Sequence, residues 1–147
     1  MFYNFRKNKK AFTLVELIVV IAIIAILGAV AGTTVAVFLD RAKKTAASTP
    51  LTDFSGKWDA KDSKQTLKAY IAELFPQDVA SIKISDDSKL TKTSFGSGDT
   101  FTLYFHDDNC GDYYGVLVIT KGVPAKNAEA KKDDTTKNAW NSAKAVS

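Results

Sequence analysis

The chain of 147 residues has one cysteine, Cys110, one histidine, His106, and three prolines. A lone cysteine excludes an intrachain disulfide. One Cys and one His cannot make a zinc spacing, and as a nucleophilic pair they lack an orienting third group. No glycine-rich phosphate loop and no Ser-His-Asp set is present. These absences leave no catalytic constellation, and the chain is read as no enzyme. No acid stands before Ala11, where Arg6, Lys7, Lys9 and Lys10 supply four cations. Without those four the 20 Lys and Arg fall to 16, against 16 Asp and Glu, so the rest of the chain is neutral. The basic character belongs to the first eleven residues and gives no support for a nucleic-acid-binding surface. DNA as a partner is left open.

The other absence is of charge in the run from Leu17 to Leu39, 23 residues long. About 20 apolar residues as a helix span a bilayer's hydrocarbon core. One acid, Glu16, stands at the mouth of this run. An acid at the centre of a membrane helix costs roughly 2.5–3.5 kcal/mol, and less near its end. A removable secretory signal, with Ala29-Val30-Ala31 as its cleavage site, leaves Glu16 unexplained, and the apolar run continues past that site. A plain membrane anchor also leaves it unexplained. Four cations before the run and Arg41, Lys43 and Lys44 after it lean only slightly to a cytoplasmic N-terminus.

From Phe12 the sequence reads as one helix to about residue 48, stopped at Ser48-Thr49-Pro50. "LTDFSGKWD" reads as a loop. A second helix is expected from Asp62 to Phe75, with a capping box of Asp62 and Gln65 and a stripe of Leu67, Tyr70, Ile71, Leu74 and Phe75. The period then changes to two. "SIKIS", "KLTKTSF", "TFTLYFH" and "YYGVLVITKG" read as strands joined by short turns, the pattern of an antiparallel meander packed on a helix. The segment after Pro124 has one aromatic residue, Trp140, and reads as flexible or loosely helical. The fold class is α+β. The divisions are a basic segment over 1–11, an apolar helix of membrane-spanning length over 12–48, a globular α+β part over 49–123, and a polar tail over 124–147.

The stretch "KKAFTLVELIVVIAIIAIL" closely resembles the cleavage and methylation motif of type IV prepilins and pseudopilins. A basic leader, a small residue, Phe, Thr, Leu, an aliphatic residue and Glu precede an unbroken apolar helix. The resemblance implies cleavage between Ala11 and Phe12 by a prepilin peptidase, and N-methylation of Phe12. Ala11 stands where most of the family has Gly. It also implies that Phe12 and Glu16 key assembly. The subunit is expected first in the cytoplasmic membrane as a single pass with a cytoplasmic N-terminus, then in a surface filament. Its implied partners are copies of itself, minor pilins, the peptidase, the membrane assembly platform and, before assembly, lipid. Alternatives are a pseudopilin of DNA uptake or type II secretion, a secreted binding domain with an ordinary signal peptide, and an anchored protein that keeps residues 1–11.

No cofactor is expected, with one candidate exception. Asp107, Asp108, Asn109 and Asp112 could supply oxygen ligands to Ca²⁺, although their order does not match the EF-hand spacing. The plainer reading of "HDDNCGD" is a hairpin turn rich in Asp, Asn and Gly for backbone reasons. Tyr113, Tyr114, Trp58 and Trp140 are read as core packing or subunit contacts.

Overall fold

A computed structural model describes residues 12–58, 64–124 and 127–146. The leader and Ala11 lie outside these residues. The chain divides into two units, one ending at Leu39 and one beginning at Asp40. In the first, residues 12–39 are exposed throughout.

Helix α1 runs from Leu14 to Lys57. It continues through Pro50 and takes in most of the segment read as a loop, which corrects the expected stop near residue 48. A proline inside a helix removes one backbone bond and costs roughly 3 kcal/mol. Two side chains beyond it offset that cost. Leu51 and Phe54 are fully buried, each contributing about 1.5–3 kcal/mol. With Ala47 and Trp58 they form a stripe at i, i+4, i+7 and i+11, the face of one helix. The Tyr70 hydroxyl donates to the Lys57 carbonyl, supplying a partner at the end of α1.

Helix α2 covers Leu67–Leu74, shorter than expected. Asp62 lies outside the described residues. The observed cap is Thr66, whose hydroxyl accepts from Ala69 N at 3.2 Å, while the Gln65 amide donates to Glu73 at 2.6 Å. The expected stripe is on the buried side: Leu67, Tyr70, Ile71 and Phe75. "KLTKTSF" is not a strand. Its carbonyls at Leu90 and Lys92 accept from the amides of Lys68 and Leu67, the donors that open α2. Asp99 ties the same segment down through Lys89 at 3.0 Å, Lys92 at 3.3 Å and the Gly96 amide at 2.9 Å.

The strands are β1 (Ile82–Ile84), β2 (Thr100–Phe105), β3 (Tyr114–Thr120), β4 (Glu129–Lys131) and β5 (Lys144–Ala145). They form one sheet in the order β4-β3-β2-β1-β5, with every pair antiparallel. Alternation sends Ile82, Ile84, Phe101, Leu103, Phe105, Leu117 and Ile119 to the core. There they meet Phe54, Trp58 and Tyr70. Trp58 lies edge-on to Phe101 at 5.4 Å. Gly115 permits close contact with α1, since a Cβ there would come within 1.9 Å of the Ala47 carbonyl oxygen.

The segment after Pro124, expected to be flexible or loosely helical, holds helix α3 (Asp134–Ser142) and also the strands β4 and β5. Asp133 caps α3 by accepting from Thr136 N at 2.7 Å. Trp140 reaches the sheet's outer side, 5.7 Å from His106 and 6.2 Å from Tyr114. Lys83 lies 4.4 Å over its ring. Val146 is fully buried. Tertiary contacts hold a sequence that has little hydrophobic pattern of its own.

Candidate functional site

The start of α1 is built by Thr13 and Glu16. The Thr13 amide and hydroxyl both donate to Glu16 Oε2 at 2.9 Å, and the Glu16 amide donates back to Thr13 Oγ1 at 3.3 Å. This reciprocal box satisfies donors that a helix start leaves unpaired. It also sets a carboxylate at the positive end of the helix dipole. Thr13 was not singled out from the sequence, although Thr-x-x-Glu before an apolar run is the signal for it.

The surroundings are apolar and uncovered. Phe12 is 81% exposed and Leu14 72%, and no large side chain from Leu17 to Leu39 is buried. Apolar surface of this extent has to be covered by lipid or by protein. An apolar medium would also leave Glu16 in need of a cation. The helix is long and apolar enough over this stretch to cross a membrane.

The loop proposed for calcium is organised around one carboxylate. Asp107 Oδ1 accepts from Asn109 N at 3.0 Å, Cys110 N at 3.1 Å and Cys110 Sγ at 3.0 Å, while Oδ2 accepts from Asn109 Nδ2 at 3.0 Å. Burial raises the Asp107 carboxyl, but the hydrogen bonds from Cys110 and Asn109 together outweigh it and hold the group below the ordinary carboxylate range. Asp108 and Asn109 are exposed. Asp112 lines a cavity of about 270 Å³ with Tyr114, Lys132, Asp133, Asp134 and Lys137. Among the described residues, no three His, Cys, Asp or Glu side chains are grouped to hold a metal ion.

His106 and Cys110 have other partners. The His106 ring stacks on Tyr114 at 4.3 Å and bonds through Nδ1 to the Tyr113 carbonyl at 2.9 Å, so Nδ1 carries a proton. Cys110 is buried beside Asp107, and burial pushes its thiol up to about 12. A thiol held protonated is a poor nucleophile and a poor disulfide partner. Trp58 belongs to the core, whereas Tyr113 turns to α1 and donates to Asp40 at 2.9 Å. That bond raises the Tyr113 hydroxyl above its ordinary value.

Residues 6–32 match a family described as the prokaryotic N-terminal methylation motif. The match takes in Arg6, Lys7, Lys9, Lys10, Ala11, Phe12, Glu16 and the first 16 residues of the 23-residue apolar run. No curated protein and no solved structure matches the chain. The N-terminal motif supports a precursor of type IV pilin or pseudopilin type. With the long apolar helix, it supports insertion in a membrane.

Proposed function

We propose that the chain is a type IV pilin-like structural subunit. It is inserted in the membrane as a prepilin and cleaved between Ala11 and Phe12. Phe12 is then N-methylated, and the subunits polymerise through a bundle of their apolar helices. The observation that carries this reading is a single carboxylate, Glu16, on an exposed apolar helix four residues after Phe12.

The chemistry follows from the cut. Cleavage frees an α-amine on Phe12, with an ordinary pKa of about 7.7–8.0, which stays cationic when methylated. Buried in a bundle, an ammonium needs a carboxylate and a carboxylate needs a cation. Glu16 of one subunit paired with Phe12 of the next satisfies both and fixes the axial register. Removal of one partner leaves the other charge buried, at roughly 3–5 kcal/mol. The same helix anchors the free subunit in lipid and forms the filament core. Copies of itself, minor pilins, the prepilin peptidase and the assembly platform are the partners.

Substitution of Glu16 by Ala tests this in native cells. The expected result is loss of filaments, with a cleaved, stable subunit held in the membrane. Unchanged release of a soluble monomer would contradict it.

A further inference from the structure

Asp40 is the first charged residue after the apolar run and the first residue of the packed unit. The fold brings two distant side chains to it. The Tyr113 hydroxyl donates to Asp40 Oδ2 at 2.9 Å, and Lys132 Nζ lies 3.6 Å from Oδ1. Lys132 also stands 5.2 Å over the Tyr113 ring. The Asp40 and Lys132 side chains are 52% and 55% exposed. Beside them, a Cβ added at Gly111 would come within 2.9 Å of a Lys43 methylene carbon, so Lys43 runs along the turn that leads into Tyr113.

These residues define one pole of the domain. Ala47 approaches Gly115 near the start of β3, and Trp58 meets Phe101, whose partner is Ile119 near its end. So α1 and β3 run the same way. A strand advances about 3.3 Å per residue, which puts Lys121 roughly 20 Å from Tyr114, at the opposite pole.

Tyrosine and lysine settle at a lipid–water boundary. The ring or the aliphatic stem lies on the apolar side, and the hydroxyl or ammonium on the wet side. An aspartate there is costly when bare. Asp40 is bonded to a phenol and paired with an ammonium. Arg41 and Lys44 add cations on α1 and Lys137 another, but Asp112, Asp133 and Asp134 line one cavity with Lys132 and Lys137. The pole has no clear excess of positive charge to draw it to anionic lipid.

We propose that the pole formed by Tyr113, Lys132 and Lys43 around Asp40 is a membrane-resting surface. Its partner is the headgroup layer of the bilayer in which the precursor is anchored. This rests on the reading of residues 12–39 as a membrane span. The contact is interfacial rather than polybasic, and it is given up when the subunit leaves the membrane for the filament.

The test uses the full chain in vesicles of phosphatidylcholine, and of phosphatidylcholine mixed with phosphatidylglycerol. Spin labels go singly on Ile24→Cys, Asp112→Cys and Lys121→Cys. Cys110, being buried, is left in place. Depth is read from relaxation by oxygen against a water-soluble nickel chelate. The expected result is Ile24 in hydrocarbon, Asp112 in the headgroup layer at equal depth in both lipids, and Lys121 in bulk water. Adding Tyr113→Phe with Lys132→Gln should move the Asp112 label into water while Ile24 stays. Ile24 in hydrocarbon with Asp112 as aqueous as Lys121 would overturn this surface alone. An aqueous Ile24 would overturn the span as well. An Asp112 label that reaches the headgroups only with phosphatidylglycerol would overturn the interfacial contact in favour of charge attraction.

Discussion

The two parts of α1 share one backbone conformation and differ in everything else. From Leu14 to Leu39 the helix carries large apolar side chains on every side, and none is buried. From Asp40 to Lys57 it carries mostly small and polar residues and buries only Ala47, Leu51 and Phe54. Among the described residues the hydrophobic part buries no side chain, and the less hydrophobic part holds up a domain. Hydrophobicity is therefore not the measure of a residue's contribution to the fold. What counts is whether the fold supplies the cover. The first part needs its cover from elsewhere, which membrane insertion supplies and which polymerisation, under the proposed function, would supply in turn.

The sharpest way to break this contrast is to truncate one residue in each part. Phe54→Ala should cost about 3–5 kcal/mol of domain stability, because its ring meets Trp58 at 5.7 Å, Tyr70 at 5.8 Å and Phe75 at 6.3 Å. Ile24→Ala should leave the melting of the domain within about 0.5 kcal/mol of wild type. Equal effects in thermal unfolding would contradict the division. A smaller loss is expected from Gly115→Ala, about 1–3 kcal/mol, since its methyl would meet the Ala47 carbonyl of the covered part. A melting temperature unchanged by that methyl would mean that α1 does not sit so close to β3.

The smallest effect is expected at the domain's surface. Lys89 above all, with the Gly96 amide and Lys92, holds Asp99 at about 2, against an ordinary 3.8. A lowered carboxylate pKa stabilises above the ordinary value, and the contribution is lost as pH falls through the folded one. Asp99→Asn should therefore lower the melting temperature slightly at pH 7. The gap to wild type should close between about pH 4 and pH 2. A gap that does not change with pH would mean that the carboxylate is not what ties that segment.

The contrast also explains what could be read from the sequence. The first part was legible because its signals are local: four cations, Phe12, Glu16, then no charge to Leu39. The signals for β1, β2 and β3 were legible for the same reason, in "SIKIS", "TFTLYFH" and "YYGVLVITKG". The second part of α1 was misread because Pro50 is a strong local stop, and the stripe of Ala47, Leu51, Phe54 and Trp58 had to be followed across it. "KLTKTSF" alternates like a strand, but its carbonyls go to the start of α2. The last segment was legible only as loosely helical, for another reason. Glu129–Lys131 has no strand-forming residue, and α3 is held by Asp133 and by Trp140 against His106 and Tyr114. Those contacts exist only after the sheet has formed. At the candidate site, Glu16 was legible as a misplaced charge, whereas Thr13 shows its part only through its hydrogen bonds.

The central claim is that the uncovered part of α1 enters a filament after a cut beside Phe12. It is tested most directly by mass spectrometry of the mature N-terminus from native cells. A chain beginning at N-methylated Phe12 is the predicted result. A chain beginning at Gly32 would contradict the account, because it would remove Glu16 and leave a domain released by an ordinary signal peptidase.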